Sequence, residues 1–197
     1  MTECGPAIAF DHWQTFRPTS CGKAVDRMEI RIDSSDPFNQ VGEILTKGMN
    51  VMDGYYNNLE ASNTVLSPDG WLHTGDLGVL DPDGYLYIKG RSKSLILGPS
   101  GQNIYPEEIE DLLNAQPYIA ESLVIEREGK LVALVYPDAE AMKQNKISRE
   151  TLLKIIHETR KQINQQLPAY SQIARIEIHD EEFEKTPKRS IKRFLYQ

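Results

Sequence analysis

Residues 70–113 read GWLHTGDLGVLDPDGYLYIKGRSKSLILGPSGQNIYPEEIEDLL, and the hydrophobic pattern that decides the fold changes within them. Residues 81–84 (DPDG) have Pro second and Gly fourth, as in a type I turn, and lead into the alternating segment YLYIK. Further on, Pro106 suits the first position of an amphipathic helix, and two glutamates follow it where the helix dipole favours anions. The stretch therefore predicts strands before Arg91, and helices mixed with strands after it.

The first half of the chain is predicted to be β-rich. Between about residue 28 and residue 88, the segment MEIRI alternates and GEILTKG lies between glycines, so each is expected to form a short strand. Short strands joined by turns are typical of a distorted barrel or a sandwich, and we expect one of these two arrangements.

The second half is predicted to contain two or three helices and a short sheet. The first helix ends before Pro117, and a longer one is capped by Ser148 and closed by Pro168. The segments IAESLVIE and KLVALVYP are expected to form an antiparallel hairpin, to which ARIEIH adds a strand. We therefore expect an α+β protein, with a β-rich subdomain over residues 1–90 and a small α+β domain over residues 91–197.

The composition excludes several classes of protein. Apolar residues make up 40% and charged residues 26% of the 197, which is typical of a globular protein rather than a disordered one. The net charge of −7 argues against a nucleic-acid partner, although the tail EKTPKRSIKRFLYQ is locally basic and suits a small anionic ligand. The chain has two cysteines without CxxC spacing and no apolar run of about 20 residues, and its start is unlike a signal peptide, so none is expected. We expect no zinc site, no transmembrane segment and a cytoplasmic location.

Six segments resemble, in order and at similar spacing, the later motifs of the adenylate-forming enzymes. They are MTECGP, GEILTKGMNVMDGYYNN, GWLHTGDLG, GYLYIKGRSKSLIL, GPSGQNIYPEEIE and EKTPKRSIKR. This superfamily contains acyl-CoA synthetases, adenylation domains of peptide synthetases and luciferases. The sequences of the six motifs are most similar to those of a bacterial long-chain fatty acid CoA ligase. The resemblance implies that residues 1–90 are the last β-subdomain of a truncated large AMP-binding domain. Residues 91–197 would then be the mobile C-terminal domain.

The resemblance also implies a two-step ligation. A carboxylic acid, here a fatty acid, reacts with ATP and Mg²⁺ to give an acyl-adenylate and pyrophosphate, and coenzyme A then displaces AMP. Because the phosphate loop and the acyl pocket lie in the missing part, the chain is expected to be inactive without the rest of its own N-terminal domain. A peripheral association with the inner face of the membrane is an alternative to a purely cytoplasmic location.

Four residues are implied to contact the nucleotide. Asp76, after Gly75 in a predicted tight turn, would accept hydrogen bonds from the ribose hydroxyls, and Arg91 would contact the same ribose. The plainer alternatives are an aspartate that stabilises its own turn and a solvated surface arginine. Thr2 and Glu3 would approach the α-phosphate and Mg²⁺. At a free terminus they are expected to fray, and their chemistry is expected to be idle in this chain.

Domain rotation and thioester formation are implied for the next motif. Lys93 occupies the position of the family's hinge, and Gly98, Ser100 and Gly101 form a loop that would face the pantetheine of coenzyme A. Glycines in such a hairpin are more often structural than functional, which is the alternative interpretation.

The tail departs from the family pattern. Relatives commonly have Thr-Pro-Thr-Gly-Lys, whose lysine bridges the acyl carboxylate and the α-phosphate, whereas residues 186–190 are TPKRS and place Ser190 in the lysine position. If the segment is extended, Lys188, Ser190 and Lys192 share one face, and our hypothesis is that Lys188 or Lys192 replaces the missing charge. The alternative is a solvated basic tail that binds nothing in particular.

Two other functions compete with this interpretation. The chain could come from an adenylation domain that loads a carrier protein, or it could be a self-standing nucleotide-binding or interaction module without catalysis. Expression of the module alone, with binding of ATP or AMP by the isolated chain, would favour the latter.

Overall fold

A computed structural model describes residues 1–5 and 7–197, which form two units, Met1–Lys93 and Ser94–Gln197. The division falls three residues after the expected boundary between residues 90 and 91, inside a short 3-10 helix at Ser92–Ser94. The protein is of the α+β class, as predicted.

The first unit is built on antiparallel strands. They are β1 (Ala9–Phe10), β2 (Lys23–Ala24), β3 (Met28–Asp33), β4 (Gly42–Gly48), β5 (Leu72–Leu80) and β6 (Leu86–Arg91), with helix α1 (Leu59–Val65) between β4 and β5. β3, β4, β5 and β6 form one sheet in that order, and β1 pairs with β2. In the part of the chain that the structure describes, this linear order is an open meander rather than the expected distorted barrel or sandwich.

The second unit has a three-stranded sheet with two principal helices. Its elements are β7 (Ile96–Leu97), β8 (Asn103–Ile104), α2 (Pro106–Asn114), β9 (Ile119–Arg127), β10 (Lys130–Pro137), α3 (Ala139–Gln144), α4 (Arg149–Gln166) and β11 (Ile173–Ile178). The sheet order is β11-β10-β9, in which β9 and β10 are antiparallel and β10 and β11 are parallel. α4 connects the two parallel strands, as such a crossover requires.

Alternate residues of β9 and β10 point to two different cores. Val124 of β9 and Ala133 of β10 face Ile109 of α2 and Ile156 of α4. Their neighbours in sequence on β9 and β10 form a second cluster with the buried Phe183. The sheet therefore has its helices on one face and the C-terminal tail on the other.

The helix signals in the sequence are confirmed for the two longer helices. Pro106 begins α2, and the Ser148 hydroxyl accepts the Thr151 N–H at 3.2 Å to cap α4. The hairpin of β9 and β10 and the additional strand β11 also lie where the pattern placed them. Among the described residues, none of the helices combines the length and the apolar character that crossing a bilayer requires.

Candidate functional site

A bulge in β5 shapes the backbone around Asp76. Between the paired residues Glu43–Leu77 and Leu45–His73, one residue of β4 faces three of β5. Gly75, at φ +73°, adopts the left-handed conformation that this bulge needs. The predicted tight turn at Gly75 is therefore wrong, because the strand continues through it.

Two polar side chains replace the ladder hydrogen bonds that the bulge leaves out. The Thr74 hydroxyl is buried, donates to the Ile44 carbonyl at 2.7 Å and accepts the Asp76 N–H at 3.1 Å. One Glu43 oxygen accepts the Gly75 N–H at 2.9 Å, and the other lies 2.9 Å from Nδ1 of His73. The sequence interpretation missed Glu43, although it follows Gly42 at the start of a quoted motif.

The structure brings Asp76 and Arg91 together. The two residues are directly opposite each other in the register of β5 and β6, and Nε of Arg91 lies 3.1 Å from Oδ1 of Asp76. The Asp76 side chain is 24% exposed and that of Arg91 is 68% exposed, so this pair lies at the surface of the unit. A carboxylate has more lone pairs than one arginine nitrogen uses, and the guanidinium has further donors. Together they can hold a diol such as that of ribose.

Thr2 and Glu3 lie in a 3-10 helix at Thr2–Cys4, and the adjoining backbone is held by the segment at residues 50–55. The Asn50 amide donates to the Cys4 carbonyl at 2.7 Å, and the Met52 N–H donates to the Glu3 carbonyl at 2.8 Å. The expectation that this terminus frays is wrong, because these hydrogen bonds tie it to the rest of the unit.

Tyr55 was not identified from the sequence, although it lies in the quoted segment GYYNN. Its hydroxyl donates to Oε1 of Glu3 at 3.2 Å. Burial, together with the neighbouring Glu3 charge, raises the pKa of the Tyr55 hydroxyl, which therefore stays protonated as a donor.

The residues around Glu3 fit a magnesium ion only if phosphates complete its shell. Within residues 1–5 and 7–197, no three His, Cys, Asp or Glu side chains cluster closely enough to hold a metal. Mg²⁺ commonly takes one or two carboxylates together with phosphate and water oxygens, so the single Glu3 carboxylate suits that manner of binding.

Lys93 is exposed in the 3-10 helix Ser92–Ser94 and is the last residue of the first unit. This position places it at the junction that the resemblance implies for a hinge.

The predicted glycine loop is the hairpin between β7 and β8. The Gly98 N–H donates to the Gln102 carbonyl at 2.8 Å, and the Gly101 N–H donates to the Gly98 carbonyl at 2.9 Å. Gly101 has φ +80°, and an added Cβ at Gly98 would lie 3.3 Å from the Gln102 carbonyl oxygen. Ser100 is exposed at the tip.

A cavity of about 470 Å³ opens beside this hairpin. Its other walls come from Lys130, Leu131, Tyr170 and Gln172 of the same unit. In the described part of the chain, the buried Oε1 of Gln102 has no hydrogen-bond partner. The cavity thus offers apolar and amide groups next to a closely folded backbone.

The tail is not extended, which corrects the predicted common face of Lys188, Ser190 and Lys192. The Arg189 N–H donates to the Thr186 carbonyl at 2.8 Å, and the Thr186 N–H donates to the Ser190 carbonyl at 2.8 Å. Arg189 has φ +63°, so the segment is a tight turn with a left-handed residue after it. A turn breaks the period of two on which the common face depended.

The turn separates the two candidate lysines. Nζ of Lys192 lies 3.1 Å from the Glu184 carboxylate at the base of the turn. Lys188 is exposed in the turn itself, and its side chain makes no hydrogen bond or ion pair with another described residue. Of the two, Lys188 has the ammonium that a ligand can reach without breaking an ion pair.

Curated relatives of this chain are CoA ligases. It is 45% identical over 59% of its length to the indoleacetate–CoA ligase of Aromatoleum aromaticum, and covers 24% of that protein. It is 38% identical over 71% of its length to the 2-succinylbenzoate–CoA ligase of Bacillus cereus, and covers 29% of that protein. A long-chain-fatty-acid–CoA ligase of Gallus gallus is 39% identical over 62% of the chain, which covers 16% of it. The chain therefore spans a quarter or less of two of these relatives and under a third of the other.

Solved structures agree with these relatives. The o-succinylbenzoate-CoA synthetase of Bacillus subtilis, in complex with ATP and a magnesium ion, has a TM-score of 0.78 at 30% identity. The match covers 98% of this chain and 39% of that one. The family model described as the AMP-binding enzyme C-terminal domain matches residues 93–196, which is more than half of the chain. The chain therefore belongs to the AMP-binding enzyme C-terminal domain family, and the curated relatives named above are CoA ligases.

Proposed function

We propose that this chain is the C-terminal portion of an ATP-dependent acyl-CoA ligase. In this proposal the complete enzyme activates a carboxylic acid as its acyl-adenylate, releases pyrophosphate, and passes the acyl group to the thiol of coenzyme A. The observation that carries the proposal is the pair of Asp76 and Arg91, which combines a carboxylate and a guanidinium within 3.1 Å on adjacent strands.

The residues divide between the two steps. Asp76 and Arg91 hold the ribose of ATP and AMP, and Glu3, which accepts a hydrogen bond from Tyr55, would hold a magnesium ion. Bound Mg²⁺ would neutralise phosphate charge during adenylation. Thr2 lies beside Glu3 in the same 3-10 helix and would meet the α-phosphate.

We assign the charge that a lysine usually supplies in adenylation to Lys188. Ser190 occupies the usual lysine position but has no charge, and Lys192 forms an ion pair with Glu184. An ammonium near the transferring carboxylate stabilises the charge that develops there. Lys188 in the exposed turn can supply it, while Ser190 can contribute a hydroxyl hydrogen bond.

The glycine hairpin serves the second step in this proposal. Gly98 and Ser100 border the cavity of about 470 Å³, and Gly101 lies next to Ser100 in the same hairpin. The cavity has the size and the mixture of apolar and amide groups that a pantetheine arm needs. Rotation at Lys93 would present first the tail and then this hairpin to the reacting groups.

The identity of the acid is proposed from the names of the relatives. The sequences of the motifs favour a long-chain fatty acid, whereas two of the relatives are named for aryl acids. We propose that the acid is an aryl acid, because those relatives include the 45% identical one. Thioester formation by the native enzyme from indoleacetate, o-succinylbenzoate and palmitate decides between the classes.

A chimera tests the ligase function itself. Residues 1–197 would replace the matching segment of the Bacillus subtilis synthetase, and the release of pyrophosphate and formation of the CoA thioester would be measured. We expect both activities, and a KM for ATP that rises roughly tenfold or more in Asp76→Asn, because the ribose contact is weakened. Asp26→Asn is the matched control, since Asp26 is 96% exposed at the surface. A folded chimera that releases no pyrophosphate would contradict the proposal.

A further inference from the structure

The tail of the second unit is fixed on both sides of its turn. Before the turn, Phe183 is 2% exposed and packs on the sheet face opposite α2 and α4. After the turn, the ring of Tyr196 meets that of Phe183 edge-on, with centroids 5.3 Å apart. The Lys192 N–H donates to the Glu184 carbonyl at 2.8 Å and closes the base of the hairpin. Only the tip, residues 186–190, projects beyond these contacts.

Glu110 and Arg193 join this hairpin to β9. Glu110 is 8% exposed, and one of its oxygens accepts the Val124 N–H at 2.6 Å. Its other oxygen pairs with Nη2 of Arg193, while Nη1 of Arg193 donates to the Val124 carbonyl at 3.2 Å. The carboxylate and the guanidinium therefore hold both polar groups of one strand residue. Glu107 adds a more distant contact, 3.6 Å from Nη2 of Arg193.

Stability alone does not explain this pair. Burial raises the pKa of the Glu110 carboxyl, and the charge of Arg193 opposes that effect without cancelling it. A buried ion pair can often be replaced by apolar side chains of similar volume with no loss of stability. What apolar side chains cannot reproduce is the fixed direction of a guanidinium that donates to two acceptors at once.

We propose that Glu110 and Arg193 are positioning residues for acyl-adenylate formation, which set the direction in which the turn at residues 186–190 leaves the second unit. The inference rests on the proposed function, because it takes this turn as the part that meets the acyl carboxylate and the α-phosphate. Neither residue touches those groups. Their effect passes through the backbone of residues 190–193 to the tip.

This role predicts different effects on the two half-reactions. Adenylation needs the tip of the tail, whereas transfer to coenzyme A needs the glycine hairpin between β7 and β8. A loosened tail should therefore slow the first step and spare the second. Damage to the shared core of the unit would slow both.

Hydrogen exchange in this chain tests the positioning without any activity. In Arg193→Lys, we expect the amides of Thr186, Arg189 and Lys192 to exchange about tenfold faster, while those between β10 and β11 keep their rates. Lysine keeps the positive charge, so the variant is expected to fold, but it lacks the two donor nitrogens with which the guanidinium reaches two acceptors at once. Arg149→Lys is the matched control, because Arg149 pairs with Asp180 at 2.6 Å but is 65% exposed and lies outside the tail.

The chimera described above tests the consequence for catalysis. Pyrophosphate release measures adenylation, and thioester formation from supplied o-succinylbenzoyl-adenylate measures the second step alone. For Arg193→Lys and Glu110→Gln, we expect a roughly tenfold to hundredfold loss of kcat in adenylation and less than about twofold in thioester formation.

The outcomes separate this inference from the proposed function. An active parent chimera whose two variants lose both steps equally, or lose neither, would overturn the positioning role while leaving the ligase assignment in place. Unchanged exchange at the turn amides would overturn it as well. A folded parent chimera without either activity would remove the proposed function and the adenylation role together.

Discussion

Asp76 and the tail turn differ in how the protein holds them. Asp76 lies on a bulge in the middle of a four-stranded sheet, where Thr74 and Glu43 complete the hydrogen bonds of the bulged residues. The turn at residues 186–190 is closed by hydrogen bonds within itself, and the unit holds it only at its base. The proposed ribose site is thus part of the fold, whereas the segment proposed to supply charge is an attachment to it.

The largest change in stability is expected at Glu110, which joins the tail to the rest of the second unit. Glu110→Ala should lower the free energy of unfolding of the second unit by about 3–5 kcal/mol, because it leaves Arg193 and the Val124 N–H without their partner. Urea unfolding of the chain measures this, with the exposed Asp111→Ala on the same helix as the control. A loss below about 1 kcal/mol would show that the base is held as weakly as the tip.

The bulge is the next place to disturb. Thr74→Val removes a hydroxyl that donates to Ile44 and accepts from Asp76, and should lower the free energy of unfolding by about 1–3 kcal/mol. Thr64→Val, at an exposed position in α1, is the control for the change in side-chain type. If both variants unfold at the same urea concentration, Asp76 is not held by the sheet in the way described.

The stability of the protein should depend on pH through the buried carboxyl of Glu110, which joins α2 to the tail. Since burial raises the pKa of Glu110 above 4.5 in the folded protein, the folded state binds more protons than the unfolded state above that pH. The contribution of Glu110 to stability is therefore fully present below pH 4.5 and is lost as pH rises through the folded pKa. The slope is at most about 1.4 kcal/mol per pH unit.

Glu110→Gln should remove this component. Its unfolding free energy, compared with that of the parent from pH 4 to pH 8, should fall less as the pH rises. The charged groups that face Glu110 are Arg193 and Glu107, and both are kept in this comparison. Parallel curves would mean that the pairing with Arg193 cancels the effect of burial on the pKa of Glu110.

At the tip, one substitution should increase stability. Arg189 has φ +63°, so Arg189→Gly relieves a left-handed conformation and should raise the free energy of unfolding by up to about 1 kcal/mol. Lys188→Gly is the matched control: Lys188 has no positive φ, and glycine there should lower stability by about 0.5–1 kcal/mol. Equal effects of the two changes would contradict the turn geometry.

The smallest effect is expected at the base ion pair. Lys192→Ala should cost about 0.2–1 kcal/mol, because Glu184, the partner of Lys192, is 65% exposed and water screens the pair. The difference from the parent should shrink as salt is added. A larger loss of stability that does not change with salt concentration would mean that Lys192, like Arg193, helps to hold the tail on the second unit.

Local signals predicted the regular elements of the fold. Pro106, Ser148 and Pro168 bound the two longer helices because capping and proline chemistry act within a few residues. The short helices α1 and α3 were not predicted, although Asn58 and Asp138 cap them, since six or seven residues give too little periodicity to be recognised. The parallel pairing of β11 with β10 depends on the crossover through α4, which no local pattern contains.

The sequence predicted which residues belong to the candidate site better than it predicted the backbone conformation around them. Motif order pointed to Asp76 and Arg91, but whether Gly75 makes a turn or a bulge depends on the partner strand β4. Likewise, Pro187 at the second position of the tail turn is a turn signal that the extended interpretation overlooked, whereas the left-handed residue is Arg189 and not the glycine that usually marks such a position. Glu110 and Arg193 are 83 positions apart, and only the folded chain brings them together.

The self-contained turn also affects how this tail can change during evolution. Its hydrogen bonds join backbone groups of Thr186, Arg189 and Ser190, so nearly any side chain can occupy positions 188 and 190 without weakening the unit. Selection for a folded protein therefore constrains the side chains at these two positions only weakly, and the chemistry of the reaction constrains them more. Differences between relatives at these two positions should follow the reaction that each enzyme catalyses, and a lysine can be exchanged for serine there without any compensating change in the core.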